Sequence, residues 1–360
     1  MRTRRSNWRP RRSLNSSLQW KNSGTKKLNI KRRRLPKGLK GRLPIRSYLL
    51  PSNPVPGLPF GFPNAFEAAL ALVSTLPSFA RGIIWMSGAL ISFLMMAIAG
   101  RELSDTMNTF QIVLVRSFVA LSVILVIASY TGFGAMRTDK WRIHLIRNTI
   151  HFGAQYGWFL GISLLPLATV FAIEFTTPIW AVLMAVVFLK EKMTIGRTVA
   201  VSFGFIGVLI ILRPGAEVLD IGSIAVLLAA VGYAAAYTFT RFLGRTDSPL
   251  VILFHMMSVQ TLIGLGPGLW VWVMPQLVDT VWILLVGLMA VSSHFCLAKA
   301  LSLAEAGVVV PIDFLRLPLI AVIGLLIYNE TIEVFVFAGA LVIFAGNYYN
   351  MQQETRAAGS

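Results

Sequence analysis

From position 82 onward the chain alternates long apolar runs with short polar breaks. Ten runs can be drawn, over 82–100, 108–130, 143–164, 167–189, 195–212, 221–243, 249–273, 281–303, 307–328 and 332–350. Each has roughly the twenty residues that an α-helix needs to cross the hydrocarbon of a bilayer. Within lipid only helices and closed barrels satisfy the backbone, and unbroken runs of this length are helices. The pattern predicts an all-α polytopic membrane protein with ten transmembrane helices.

The runs also repeat. At an offset of 139, the difference between 174 and 313, Ile173, Glu174 and Phe175 fall on Ile312, Asp313 and Phe314, Glu191 on Glu330, and Gly207 on Gly346. Gly153, Gly157 and Gly161 recur every four residues on one face of the third run, and their counterparts Ser292, Cys296 and Ala300 are small as well. Such faces let helices approach closely. Two five-helix repeats are therefore expected, over 81–215 and 216–352, behind a separate tail over 1–80. Five is odd, so the second repeat enters the membrane from the opposite side, an inverted arrangement that places a transport site at mid-membrane between the halves.

Charge orients the spans. The corners after the second, fourth and sixth runs carry Arg137, Lys140 and Arg142, then Lys190, Lys192 and Arg197, then Arg241 and Arg245. Opposite corners are mostly acidic, with Glu102, Asp105, Glu217, Asp220, Asp279, Glu330 and Glu333. The positive-inside rule then puts both termini in the cytoplasm. The net charge of +18 belongs to the tail: residues 1–66 hold 17 Lys or Arg and no Asp or Glu. Without a core-forming pattern the tail is expected to be disordered or to lie on anionic lipid. Its composition also fits an organelle transit peptide or a start assigned upstream, and it lacks the apolar segment of a secretory signal. Residues 64–79 suit a short interfacial helix. A mean hydropathy of +0.69 excludes a soluble domain of this size, and no nucleic-acid module is recognisable.

Candidate chemistry lies inside the runs. Glu174 sits roughly 10 Å into the fourth helix, and Asp313 occupies the same place in the ninth. A carboxylate at that depth costs about 2.5–3.5 kcal/mol, so it faces the interior with a partner or a task, and coupled protons are one such task. Arg316, three residues after Asp313, is a candidate neutraliser. Arg116, inside the second run, suits an anionic cargo group, Glu174, or a tie between helices. His255, its counterpart at the offset, can titrate or serve as a core hydrogen-bonder. Tyr156 and Tyr237 are candidates to stack on a flat cargo. Pro178 and Pro318 follow the carboxylates and break backbone bonds, which would free carbonyls beside Glu174 and Asp313. The substrate-binding candidates are thus Glu174, Asp313, Arg116, His255, Tyr156 and Tyr237. The single cysteine, Cys296, and four scattered histidines give no disulfide and no metal pattern. No catalytic constellation, cofactor motif or ATP-binding loop is present, so transport would be facilitated, by exchange, or driven by a proton gradient.

The segments TFQIVLVRSFVAL, GISLLPLATVFAIEFTTPIWAVLMAVVFLKEKMT and ALSLAEAGVVVPIDFLRLPLIAVIGLLIYNETI resemble the EamA-type branch of the drug/metabolite transporter superfamily. The resemblance runs from Gly82 to about Tyr349 and excludes the tail. It implies ten helices in two inverted five-helix repeats, and a secondary transporter in the bacterial inner membrane for amino acids, nucleosides, or cofactor-like solutes. The PIDFLRLP phrase is similar to that of bacterial S-adenosylmethionine and riboflavin carriers. The alternative class is a membrane-embedded enzyme acting on lipid or a lipid-linked substrate. Monomer and homodimer both remain open.

Overall fold

The computed structural model describes residues 75–213, 220–304 and 311–358. The tail expected to be disordered, most of the interfacial helix expected over 64–79, and the corner holding Glu217 lie outside the described residues. The described chain is helical: α1 (Ser78–Ser104), α2 (Thr109–Thr131), α3 (Trp141–Leu164), α4 (Leu167–Glu174), α5 (Thr177–Leu189), α6 (Ile195–Leu212), α7 (Ile221–Leu243), α8 (Pro249–Trp270), α9 (Asp279–Leu303), α10 (Arg316–Tyr328) and α11 (Val334–Ala358). Among the described residues nine spans are long and apolar enough to cross a membrane. One of them is α4 followed by α5, and another is 311–313 followed by α10. The tenth expected span, α3, has the length at 24 residues but is less apolar. Its polar residues His144, Arg147, Asn148, His151 and Gln155 recur at helical spacing and are buried, so α3 turns one polar face inward. The protein is an all-α, multi-pass membrane protein.

Helix starts follow from local chemistry. Asn108, Thr194, Asp220 and Ser248 each accept a backbone N–H of the helix they precede, at 3.0, 3.3, 2.9 and 3.4 Å. Pro77 precedes α1, which begins before the expected position 82 and continues past 100 to Ser104.

Lipid supplies no hydrophobic drive between helices, so close packing and polar bonds must hold them together. The pairs in contact include α1 with α9, α3 with α7, α2 with α8, α6 with α11, and α4 with α10. Between α3 and α7 a Cβ on Gly161 would lie 2.0 Å from Val226 Cγ2, and one on Gly157 would lie 2.7 Å from the Ala225 carbonyl. Gly153, expected on the same close face, meets nothing within 4 Å. On the matching face of α9, Cys296 and Ala300 pack with Met86 and Ala89 of α1. Ser292, one turn further, shares a 2.8 Å hydrogen bond with Ser92. Large apolar side chains such as Phe118, Leu262 and Leu326 face outward, as a lipid-facing surface requires.

Polar networks close the two ends of the bundle. At one end Glu330 pairs with Arg101 at 2.8 Å and accepts the Leu167 N–H at 2.8 Å. Nearby, Tyr328 donates to Glu102 at 2.8 Å, and Arg101 donates to the Leu165 carbonyl. At the other end Arg197 pairs with Glu191 at 2.6 Å and Glu354 at 3.0 Å. Asp247, in the turn before α8, accepts from His144 at 2.7 Å, Thr138 at 2.8 Å and Thr246 at 3.0 Å. Burial pushes the Asp247 carboxyl up, and these bonds, led by that from His144, outweigh it and hold the group below its ordinary value.

Candidate functional site

Two spans are broken at positions matched under the offset of 139. α4 stops at Glu174, Phe175 and Thr176 turn, and α5 resumes at Thr177 with Pro178 in its first turn. Likewise helix 311–313 stops at Asp313, and α10 resumes at Arg316. The resumed helices match: their starts, 177 and 316, and their ends, 189 and 328, both differ by 139. Each is followed by a left-handed residue, Lys190 at φ 54° and Asn329 at φ 53°.

The carbonyls expected to be free at these breaks are occupied. Thr176 and Thr177 hydroxyls donate to the Ile173 and Glu174 carbonyls at 2.7 and 2.6 Å, and Arg316 Nε donates to the Asp313 carbonyl at 3.3 Å. Threonine hydroxyls and a guanidinium replace the lost backbone donors, so the side chains remain the polar handles for a ligand.

Arg316 joins the two breaks. Its Nη2 donates to Asp313 Oδ2 at 2.6 Å and its Nη1 to Glu174 Oε1 at 3.3 Å. Phe93, Phe171 and Phe175 offer their rings to the same guanidinium, 4.8, 5.4 and 5.2 Å from its carbon. The second oxygen of Glu174 accepts the Trp158 indole N–H at 2.7 Å. Phe175 and Phe314 pack together with centroids 4.5 Å apart. Arg316 is therefore more than the local neutraliser of Asp313, because it also takes up Glu174 from another span. Asp313 Oδ1 is buried with no hydrogen-bond partner.

Beside Glu174 lies a cavity lined by Phe93, Met96, His151, Gln155, Trp158, Tyr233, Tyr237 and His294. At 20 Å³ it is far below the roughly 300–1,000 Å³ of small-molecule sites, so the helices must part to admit a metabolite. A wider groove of 510 Å³ between Pro311–Leu317 and α11 is walled by apolar residues and gives a polar cargo nothing to bind.

Of the residues singled out from the sequence, Glu174 and Tyr237 line the cavity, and Asp313 reaches it through Arg316. Arg116 does not meet Glu174. It is fully buried and donates to Gln155 at 2.8 Å and Gln260 at 3.4 Å, bridging α2, α3 and α8. Tyr156 stacks on Phe110 at 4.2 Å, and His255 lies against His144 at 4.6 Å, both outside the cavity wall. Sequence reasoning overlooked His151, Gln155 and His294. The signal for the first two was present in the spacing of polar residues along α3. Among the described residues no group of three or more His, Cys, Asp or Glu is placed to hold a metal.

The EamA-like transporter family matches residues 80–213 and 220–351. An S-adenosylmethionine uptake transporter of Rickettsia bellii is 25% identical over 282 residues, covering 78% of this chain and 97% of that protein. A riboflavin transporter of Vibrio cholerae is 28% identical over 282 residues, covering 77% of this chain and 94% of its own. A crystal structure with 14% identity superposes at a TM-score of 0.56, covering 77% of this chain and 99% of that one, and shares the fold.

Proposed function

The chain belongs to the EamA-like transporter family and is a small-metabolite transporter rather than an enzyme; we propose that it is a secondary carrier working by alternating access between two inverted five-helix halves, 81–215 and 216–352. The packing supports the halves. Under the offset of 139, the contact of α1 with α9 corresponds to that of α7 with α3, and the pairs α2 with α8 and α6 with α11 each map onto themselves. The paired helix breaks and left-handed caps support the same relation. So do the two family matches, one per half.

The observation that carries the mechanism is the Arg316 guanidinium held between Glu174 and Asp313, one carboxylate from each half. A cargo cation or a proton that engages Glu174 competes with Arg316, so occupancy biases how the two broken helices pack. Protons are the proposed coupling ion on that basis. Glu174, Asp313, Arg116 and Tyr237 are the proposed cargo contacts, with Tyr156 and His255 joining as the site opens. The aromatic wall of Phe93, Trp158, Tyr233 and Tyr237 suits a flat heterocycle, the chemical class of the cargo named for both relatives. Basic corners support a location in the bacterial inner membrane with both termini cytoplasmic.

The test is uptake of labelled S-adenosylmethionine and of riboflavin into proteoliposomes across a range of pH. Glu174→Gln is expected to lower uptake by about tenfold or more and to flatten its pH dependence. Uptake by the variant equal to wild type at every pH would remove Glu174 from the site. Uptake of neither compound by wild type would overturn the cargo class.

A further inference from the structure

The buried charges of the interior are unevenly compensated. Arg316 has two carboxylates and three aromatic faces. Arg116 and Arg147, 0% and 3% exposed, have no carboxylate within ion-pair distance among the described residues. Arg116 meets only the side-chain carbonyls of Gln155 and Gln260, and its Nε and Nη2 have no acceptor. Arg147 donates to Thr240 at 3.1 Å and Asn148 at 2.7 Å, both neutral, and the Asn148 amide nitrogen also lacks a partner. A guanidinium used purely to tie helices would not need two idle donors, and a charge buried without a counter-ion is unfavourable.

These groups flank the cavity. Gln155, which accepts from Arg116, is part of its wall, and so is His151, which bonds Gln260 at 2.7 Å. Arg147 lies one helical turn before His151 on α3. Glu174 lines the same cavity, bonded to Trp158, one turn along α3 from Gln155. The site thus has a carboxylate in its wall and an uncompensated cation behind Gln155.

We propose that Arg116 is the subsite for an anionic oxygen group of the cargo, a carboxylate or a phosphate, with Arg147 adding positive potential from the same face of α3. The proposal rests on the carrier reading above and names the cargo's chemistry within it. The idle Nε and Nη2 of Arg116 form the fork that binds two oxygens of one such group. As the helices part, Gln155 and Gln260 yield, and the anion supplies the counter-ion that the protein lacks.

The test is the thermal stabilisation of the purified full-length chain by two matched pairs: S-adenosylmethionine with its decarboxylated form, and riboflavin 5′-phosphate with riboflavin. Ligand binding raises the melting temperature by mass action. The anion-bearing member of at least one pair is expected to bind more tightly than its partner. Arg116→Gln should weaken that member about tenfold and leave the partner unchanged, while Arg116→Lys keeps part of the preference. Without ligand, Arg116→Gln should be at least as stable as wild type, because an unpaired buried cation has been removed. Equal or tighter binding of the members that lack the anionic group overturns the anion subsite and leaves the carrier reading intact. So does a preference that survives Arg116→Gln, and a fall in ligand-free stability alongside it would make Arg116 a helix tie. Binding of no member of either pair overturns the cargo class as well.

Discussion

Replacing Arg316 with Gln removes one cation from between two buried carboxylates, and the geometry sets the size of the effect. At an effective dielectric of about 20, unit charges 3.3 and 2.6 Å apart attract by about 5 and about 6 kcal/mol. Desolvation of all three groups offsets much of that gross attraction, and the loss on breaking such a buried pair is about 3–5 kcal/mol. Arg316→Gln should therefore destabilise the protein by about that amount, because Glu174 and Asp313 lose their shared partner. Glu174→Gln alone should cost less, because Arg316 keeps Asp313. The assay is equilibrium unfolding in mixed detergent micelles of wild type, both single variants and the double variant. A coupling energy of about 1 kcal/mol or more between residues 174 and 316 is expected. Additivity within about 0.5 kcal/mol would refute the bridge between the two broken helices.

Gly161→Leu should destabilise by about 1–3 kcal/mol or more, because a Cβ there already meets Val226 at 2.0 Å, whereas Gly153→Ala, in open space, should be neutral or gain up to about 1 kcal/mol of helix propensity; unfolding of both variants checks the contrast. Asp247→Asn should remove a stabilisation that wild type holds above the ordinary carboxyl value of about 3.9 and loses as pH falls through the lower value of the folded state. The melting-temperature difference between the two proteins should accordingly be constant from pH 7 to about 5 and vanish at lower pH; a difference that grows on acidification would contradict the Thr138 and His144 bonds to Asp247.

Much of the architecture was legible because bilayer thickness fixes helix length and because lipid makes each buried carboxylate conspicuous. Glu174, Asp313 and the helix breaks near Pro178 and Pro318 stood out in that way. α3 was legible as a span from its length, yet its polar face was missed as a site because each polar residue alone reads as an ordinary interior group. The reach of Arg316 to Glu174, 142 positions away, was not legible. Neither was the turn of Arg116 toward Gln155 and Gln260. Periodicity says which face of a helix points inward, and only the packing of several helices decides which inward groups meet. The threonine hydroxyls that occupy the carbonyls freed at the α4–α5 break escaped notice for the same reason.

The most direct test of alternating access is a pair of distances measured by spin labels in a Cys296→Ala background. One pair, Asp105→Cys with Ile332→Cys, reports on the end closed by Arg101 and Glu330; the other, Lys192→Cys with Arg245→Cys, again one residue from each half, reports on the end holding Asp247 and Glu191. Addition of a transported ligand should lengthen one distance and shorten the other. Both distances moving together, or one end staying closed under every condition, would contradict a carrier that opens by turns.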